Sequence, residues 1–148
     1  MTAQKYLQQL EVIETRIQSI KFDILQLQEL ATSITPSYAG ERVQSSGNPQ
    51  KMSAAVDRWL DKEIELRTIL ISLSAKRLEI AETIRNLKKP KESGVLHMFY
   101  IQKKSFKEIA ASYNRSVSWA TTVHGRALQS LQKELDTRAQ NEGCDKIV

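Results

Sequence analysis

Residues 104–128 read KSFKEIAASYNRSVSWATTVHGRAL, and the fold turns on how they divide. Phe106, Ile109, Ala110 and Tyr113 recur at helical spacing, the tripeptide Asn114-Arg115-Ser116 interrupts them, and Val117, Ala120, Val123, Ala127 and Leu128 take up a second helical period. Two helices joined by about three residues have the connection of a helix-turn-helix. The turn chemistry agrees. Ala110 is small where the helices must approach, Asn114 tolerates a left-handed backbone, and Ser116 can accept from the free amides that open the next helix.

Upstream, Val95, Leu96, Phe99 and Tyr100 form a further short apolar face, and Lys103–Ser105 breaks it. Three short amphipathic helices can close a minimal core. With Val117, Ala120 and Val123 turned inward, the outer face of the third helix is left with Ser118, Trp119, Thr121, Thr122 and Arg126. Hydroxyls can bond phosphates or base edges, Arg can fork onto guanine or a phosphate, and Trp or Thr methyls can meet thymine methyls. That face suits the major groove of double-stranded DNA. Lys104 and Lys107 precede it as phosphate-positioning candidates, Ser116 stands at its start, and His124 is expected to flank it. Trp119 is read as a groove contact, the alternative being a core residue.

The chain of 148 residues carries a formal net charge of +5. Residues 91–135 account for most of the excess, with seven basic against three acidic side chains. A concentrated basic excess is the footprint of a polyanionic partner, or equally of a well-solvated surface.

Before this segment the pattern changes period. Tyr6, Leu10, Ile13, Ile17, Ile20, Ile24, Leu27, Ala31 and Ile34 follow one another at alternating spacings of four and three, a sustained heptad seam. Leu7, Phe22, Leu25 and Leu30 widen the apolar surface beyond it. Thr35-Pro36 ends the helix. Residues 36–53 hold two prolines, two glycines and four serines without a period, and read as a long loop in which Arg42 and Lys51 either meet phosphates or are simply solvated. A second helix is expected from an N-cap at Ser53, with Leu66, Leu70, Leu73, Ile80, Ile84 and Leu87 on its seam and closure at Lys88, Lys89 and Pro90. Arg77 interrupts that seam, either fixing register or laying its stem along the seam with its head in water. The expected fold is all-α: a long N-terminal helical hairpin, coiled-coil-like, over 1–90, a small three-helix helix-turn-helix domain over 91–135, and a polar C-terminal tail over 136–148. A hairpin with such wide apolar faces is expected to form a homo-oligomer.

Other chemistries find little support. No apolar run approaches bilayer length and the N-terminus is polar, so no membrane association is expected and a cytoplasmic location is. Cys144 has no intrachain partner for a disulfide. His97 and His124 lack acidic neighbours at metal-ligand spacing, glycine-rich phosphate loops are absent, and no serine follows a nucleophile pattern. No enzyme activity, metal or cofactor is expected.

Residues 92–135, ESGVLHMFYIQKKSFKEIAASYNRSVSWATTVHGRALQSLQKEL, resemble region 4 of bacterial sigma factors. There a short helix leads to an SxxEIA segment and then to a serine-capped recognition helix ending in RAL. The matching positions here are Ser105, Glu108, Ile109 and Ala110, then Ser116 and Val117, then Arg126, Ala127 and Leu128. The whole chain, with its helical hairpin and the loop GERVQSSG, resembles small phage and prophage proteins related to the ArpU and RinA late-gene regulators of Gram-positive bacteria. The resemblance implies a sequence-specific DNA-binding transcriptional regulator, with host RNA polymerase as a candidate partner. Asn114 in place of the common glycine and Trp119 early in the recognition helix depart from the pattern, so the DNA sequence preference does not carry over. Two alternatives stay open: a phage DNA-packaging recognition subunit of the small-terminase type, and a coiled-coil adaptor that binds no DNA.

Overall fold

The computed structural model describes residues 1–33 and 49–145. Ile34, Thr35, Pro36 and most of the 36–53 loop, Arg42 included, lie outside the described residues. Among the described residues five α-helices follow in order: α1 (Ala3–Ser33), α2 (Pro49–Arg85), α3 (Pro90–Leu96), α4 (Phe106–Ser112) and α5 (Val117–Asp145), with a π-helical turn at His97–Ile101 continuing α3. The chain is all-α, and no strand occurs among the described residues.

Three boundaries differ from those expected. Helix α2 begins at Pro49, so Ser53 is an exposed residue inside the helix and not its N-cap. Proline suits a first helical turn, where its missing N–H would have had no partner. Pro90 likewise opens α3. Residues 136–145 are the end of α5 and not a tail; their polar composition suits a solvated helix as well as a coil.

Contacts sort the chain into two compact units, and both cuts fall inside long helices. The first joins Met1–Glu14 to Lys76–Val148. Here the start of α1 runs antiparallel to the end of α2: the Tyr6 hydroxyl donates to Thr83 Oγ1 at 3.2 Å, and Arg77 Nε donates to Glu14 Oε1 at 3.3 Å. Arg77 therefore meets a carboxylate across the seam, and Lys103 Nζ approaches the other Glu14 oxygen at 3.6 Å. Leu7, Leu10, Ile80 and Ile84 are fully buried in this unit, together with Leu131 of α5. The second half of α5 is held to the same core. Gln132 Oε1 accepts from the Ala3 amide at 2.7 Å, and Arg138 Nη1 donates to Thr83 Oγ1 at 2.9 Å. The grouping thus attaches the base of the hairpin to the helix-turn-helix, where composition alone draws a line at residue 90.

The second unit is Thr15–Ala75. Ile17, Ile24 and Leu66 are buried on its seam, and Ile20, Leu27, Trp59, Leu70 and Leu73 are half-buried. Gln28 Nε2 donates to Glu63 Oε1 at 3.1 Å, and Arg67 Nη2 to the same oxygen at 2.8 Å. The hydrogen bonds from Arg67 and then Gln28 hold the Glu63 carboxyl below its ordinary range. Of the residues that widen the apolar surface, Leu7 belongs to the first unit and is buried, whereas Phe22, Leu25 and Leu30 are exposed.

Candidate nucleic-acid interface

The site is built from the turn outward. Ser105 opens α4 with a capping box: its Oγ accepts from the Glu108 amide at 3.3 Å, while the Glu108 carboxylate accepts from the Ser105 amide at 3.4 Å. Lys103, at φ 58°, reverses the chain before it. After α4, Asn114 adopts φ 53°, the left-handed conformation its side chain tolerates, and the Arg115 amide reaches back to the Ala110 carbonyl at 2.9 Å. Ser116 Oγ then accepts from the Trp119 amide at 3.1 Å and caps α5. Each capping serine thus satisfies a backbone group that a helix end would leave unpaired.

Beneath the turn, Val95, Ile109, Ala110, Ala120 and Val123 form the buried core, with Met98, Phe99, Phe106, Tyr113 and Trp119 packed against it. Helix α5 packs on both α3 and α4. Gly94 of α3 lies directly under the Tyr113 hydroxyl, and a Cβ there would collide with it. Any larger residue there would have to displace the Tyr113 side chain.

On the outer side, Ser118, Thr121, Thr122 and Arg126 are exposed on α5, and Lys107 is exposed on α4. These five stand where the sequence places them. The hydroxyls of Thr121 and Thr122 both donate to the Ser118 carbonyl, at 2.9 and 2.8 Å. Held so, each keeps a methyl group and oxygen lone pairs for a partner, which suit base edges better than phosphate oxygens. Ser116 is also exposed, but its Oγ is committed to the cap. Lys104 is half-buried.

Three expectations are corrected. Val117 does not turn inward; it is 48% exposed at the first position of α5, where the helix has not yet met the core. Trp119 is not an open groove contact: it is half-buried, its ring lies 5.3 Å from that of Tyr113, and the Arg115 guanidinium sits 5.8 Å above it. His124 does not flank the outer face. It stacks on Tyr100 (5.7 Å between centroids) and lies 5.0 and 5.2 Å from the rings of Phe99 and Phe106, with Nε2 3.2 Å from the Tyr100 hydroxyl. Burial lowers the His124 pKa and raises that of Tyr100. Arg115, an exposed cation over Trp119 at the entrance to the face, is one that helical periodicity does not single out; its place in the turn is the available signal.

The family model described as Protein of unknown function (DUF1492) matches residues 36–136, more than half of the chain. The chain belongs to the DUF1492 family. No curated protein and no solved structure matches it. The DUF1492 match takes in α2, α3, α4 and α5 as far as Asp136, and so contains the whole helix-turn-helix together with Leu131 and Gln132 that hold α5 to the hairpin base. Helix α1 falls before it. Among the described residues no cluster of His, Cys, Asp and Glu could hold a metal ion, and no helix is long and apolar enough to cross a membrane.

Proposed function

We propose that this DUF1492 chain is a sequence-specific DNA-binding transcriptional regulator of phage or prophage origin, of the late-gene regulator type that its sequence resembles, acting as a homo-oligomer. The observation that carries the reading is the outer face of α5. Ser118, Thr121, Thr122 and Arg126 are exposed on the first turns after a serine-capped start, over a core that uses only the opposite side of the helix. Such a face has no role in packing, and its chemistry matches base edges and phosphates. Lys107 on α4 and Arg115 in the turn add exposed cations. The half-burial of Trp119 limits its part to supporting Arg115 from below.

The direct test maps the purified full chain on its own phage or prophage genome and then measures binding to the recovered site against salt. A regulator occupies a discrete site upstream of structural genes and shows a negative slope of log affinity against log salt. Occupancy of a packaging initiation site, with assembly into rings, supports the packaging reading instead. No salt-dependent binding at all rejects both.

A further inference from the structure

Where α2 passes into α3 the chain reads Arg85-Asn86-Leu87-Lys88-Lys89-Pro90-Lys91, four cations in seven residues and no acid. All four cations are exposed, whereas Leu87 is half-buried and pins the junction. The flanking acids do not neutralise it. Glu92 is buried, its carboxylate accepting from Ser130 Oγ at 2.6 Å and meeting Lys89 Nζ at 3.6 Å. Glu82 forms no ion pair with Arg85, and among the described residues Arg85, Lys88 and Lys91 have no carboxylate partner. Helix stability accounts for only part of this charge. Arg85 suits the carbonyl end of α2, but Lys91 stands in the first turn of α3, where the helix dipole disfavours a cation.

The junction adjoins the helix-turn-helix. Arg85, Pro90 and Gly94 line one cleft, and Lys91 shares a face of α3 with Gly94, one turn on. Gly94 lies under the Tyr113 hydroxyl, and the Tyr113 ring meets Trp119, which carries Arg115. A run of neighbours therefore leads from the basic junction to the cation at the entrance of the outer face. We infer that Arg85, Lys88 and Lys91 form a second strip of phosphate contacts, extending the proposed DNA interface from the turn onto the junction of α2 and α3. A polyanion is the occupant that this chemistry fits. The three cations are unpaired, and the junction exposes no large apolar side chain around which a protein partner could build a buried core. Such a strip positions the protein on the duplex backbone without reading bases.

The inference rests on the DNA-binding reading in the proposed function. Fluorescence anisotropy of the full chain on a mixed-sequence DNA duplex, titrated with salt, tests it. Each lost phosphate contact removes about 0.9 from the slope of log affinity against log salt, so Arg85→Gln, Lys88→Gln and Lys91→Gln together make it shallower by about 2 to 3. The preference for the mapped genomic site over the mixed duplex is unchanged, and so is the melting temperature, because the three side chains face solvent. Exchanging the cation types, Arg85→Lys with Lys88→Arg and Lys91→Arg, keeps the wild-type slope. So does removal of three exposed cations from the other compact unit, Arg16→Gln, Lys21→Gln and Arg58→Gln. A wild-type slope in the junction variant, an equal fall in that control, or a fall in the charge-keeping variant overturns the strip and leaves the DNA reading standing. A wild type without salt-dependent binding overturns both.

Discussion

His124 shows how a residue expected at a contact becomes a sensor of the fold. Its ring is enclosed by Phe99, Tyr100 and Phe106, and burial lowers its pKa from the ordinary 6.5. The folded chain therefore binds fewer protons at this site than the unfolded chain, so stability gained from a neutral His124 is present above about pH 6.5 and is lost as pH falls below it. The melting temperature is expected to fall between about pH 7.5 and about pH 5.5, on either side of that ordinary value, and His124→Phe to flatten that slope; an unchanged slope in the variant would place the titration elsewhere. Trp119 calls for a compromise of the same kind. A fully buried tryptophan loses roughly 3 to 5 kcal/mol on truncation to alanine, and this half-buried one should lose about 2 kcal/mol, with DNA affinity falling further as Arg115 is deprived of its platform. Thr121→Ala and Thr122→Ala should leave the melting temperature nearly unchanged, yet cost on the order of 1 to 3 kcal/mol of discrimination wherever the threonine meets a base.

Among elements, the close packing of α3 under the α4–α5 turn can be tested by a double-mutant cycle. Gly94→Ala should destabilise the protein because its methyl meets the Tyr113 hydroxyl, whereas Tyr113→Phe removes that oxygen and leaves the ring carbon Cζ at 3.4 Å, an ordinary contact. The two changes together should be less harmful than their sum, and additive losses in chemical denaturation would show that the clash is relieved by other means. Much of this unit is legible in the sequence: the break at Lys103–Ser105, the left-handed Asn114 and the capping Ser116 are local chemistry, and local chemistry is written in adjacent residues. The role of Gly94 is not, since it depends on a tyrosine nineteen positions away that only the folded turn brings over it. Val117, Trp119 and His124 escape pattern reading for a related reason. Periodicity assigns a side to each residue, but helix ends and neighbouring aromatic rings decide how deeply that side is covered. The start of α2 is hidden by the double meaning of proline, which stops one helix and opens the next.

Across the whole molecule, the basic segment and the docking of α5 make separable demands. Removing charge at Lys107 or Arg126 should weaken binding to all DNA sequences and lower the salt slope by about one for each phosphate left without its cation. A changed sequence preference with an unaltered slope would make the residue a base reader. Leu131→Ala, by contrast, removes a fully buried side chain from the core formed with the hairpin base and should cost about 2 to 5 kcal/mol of stability. Composition divides the chain at Pro90 because its character changes there; Gln132 and Arg138, whose hydrogen bonds reach Ala3 and Thr83, lie too far along the sequence to signal otherwise. Helix α5 runs without a break from the capped turn at Ser116 to Asp145, and so carries the outer-face threonines and the anchoring Leu131 on one rod of roughly 43 Å at 1.5 Å per residue. One row of buried side chains, Ala120, Val123, Ala127 and Leu131, ties both stretches to the same compact unit. Amide protons on the threonine-bearing turns and on the Leu131 turns should therefore exchange with solvent through the same cooperative opening, at one shared free energy. Proteolysis of the native chain should likewise find no cut between them that yields a free-standing reading head.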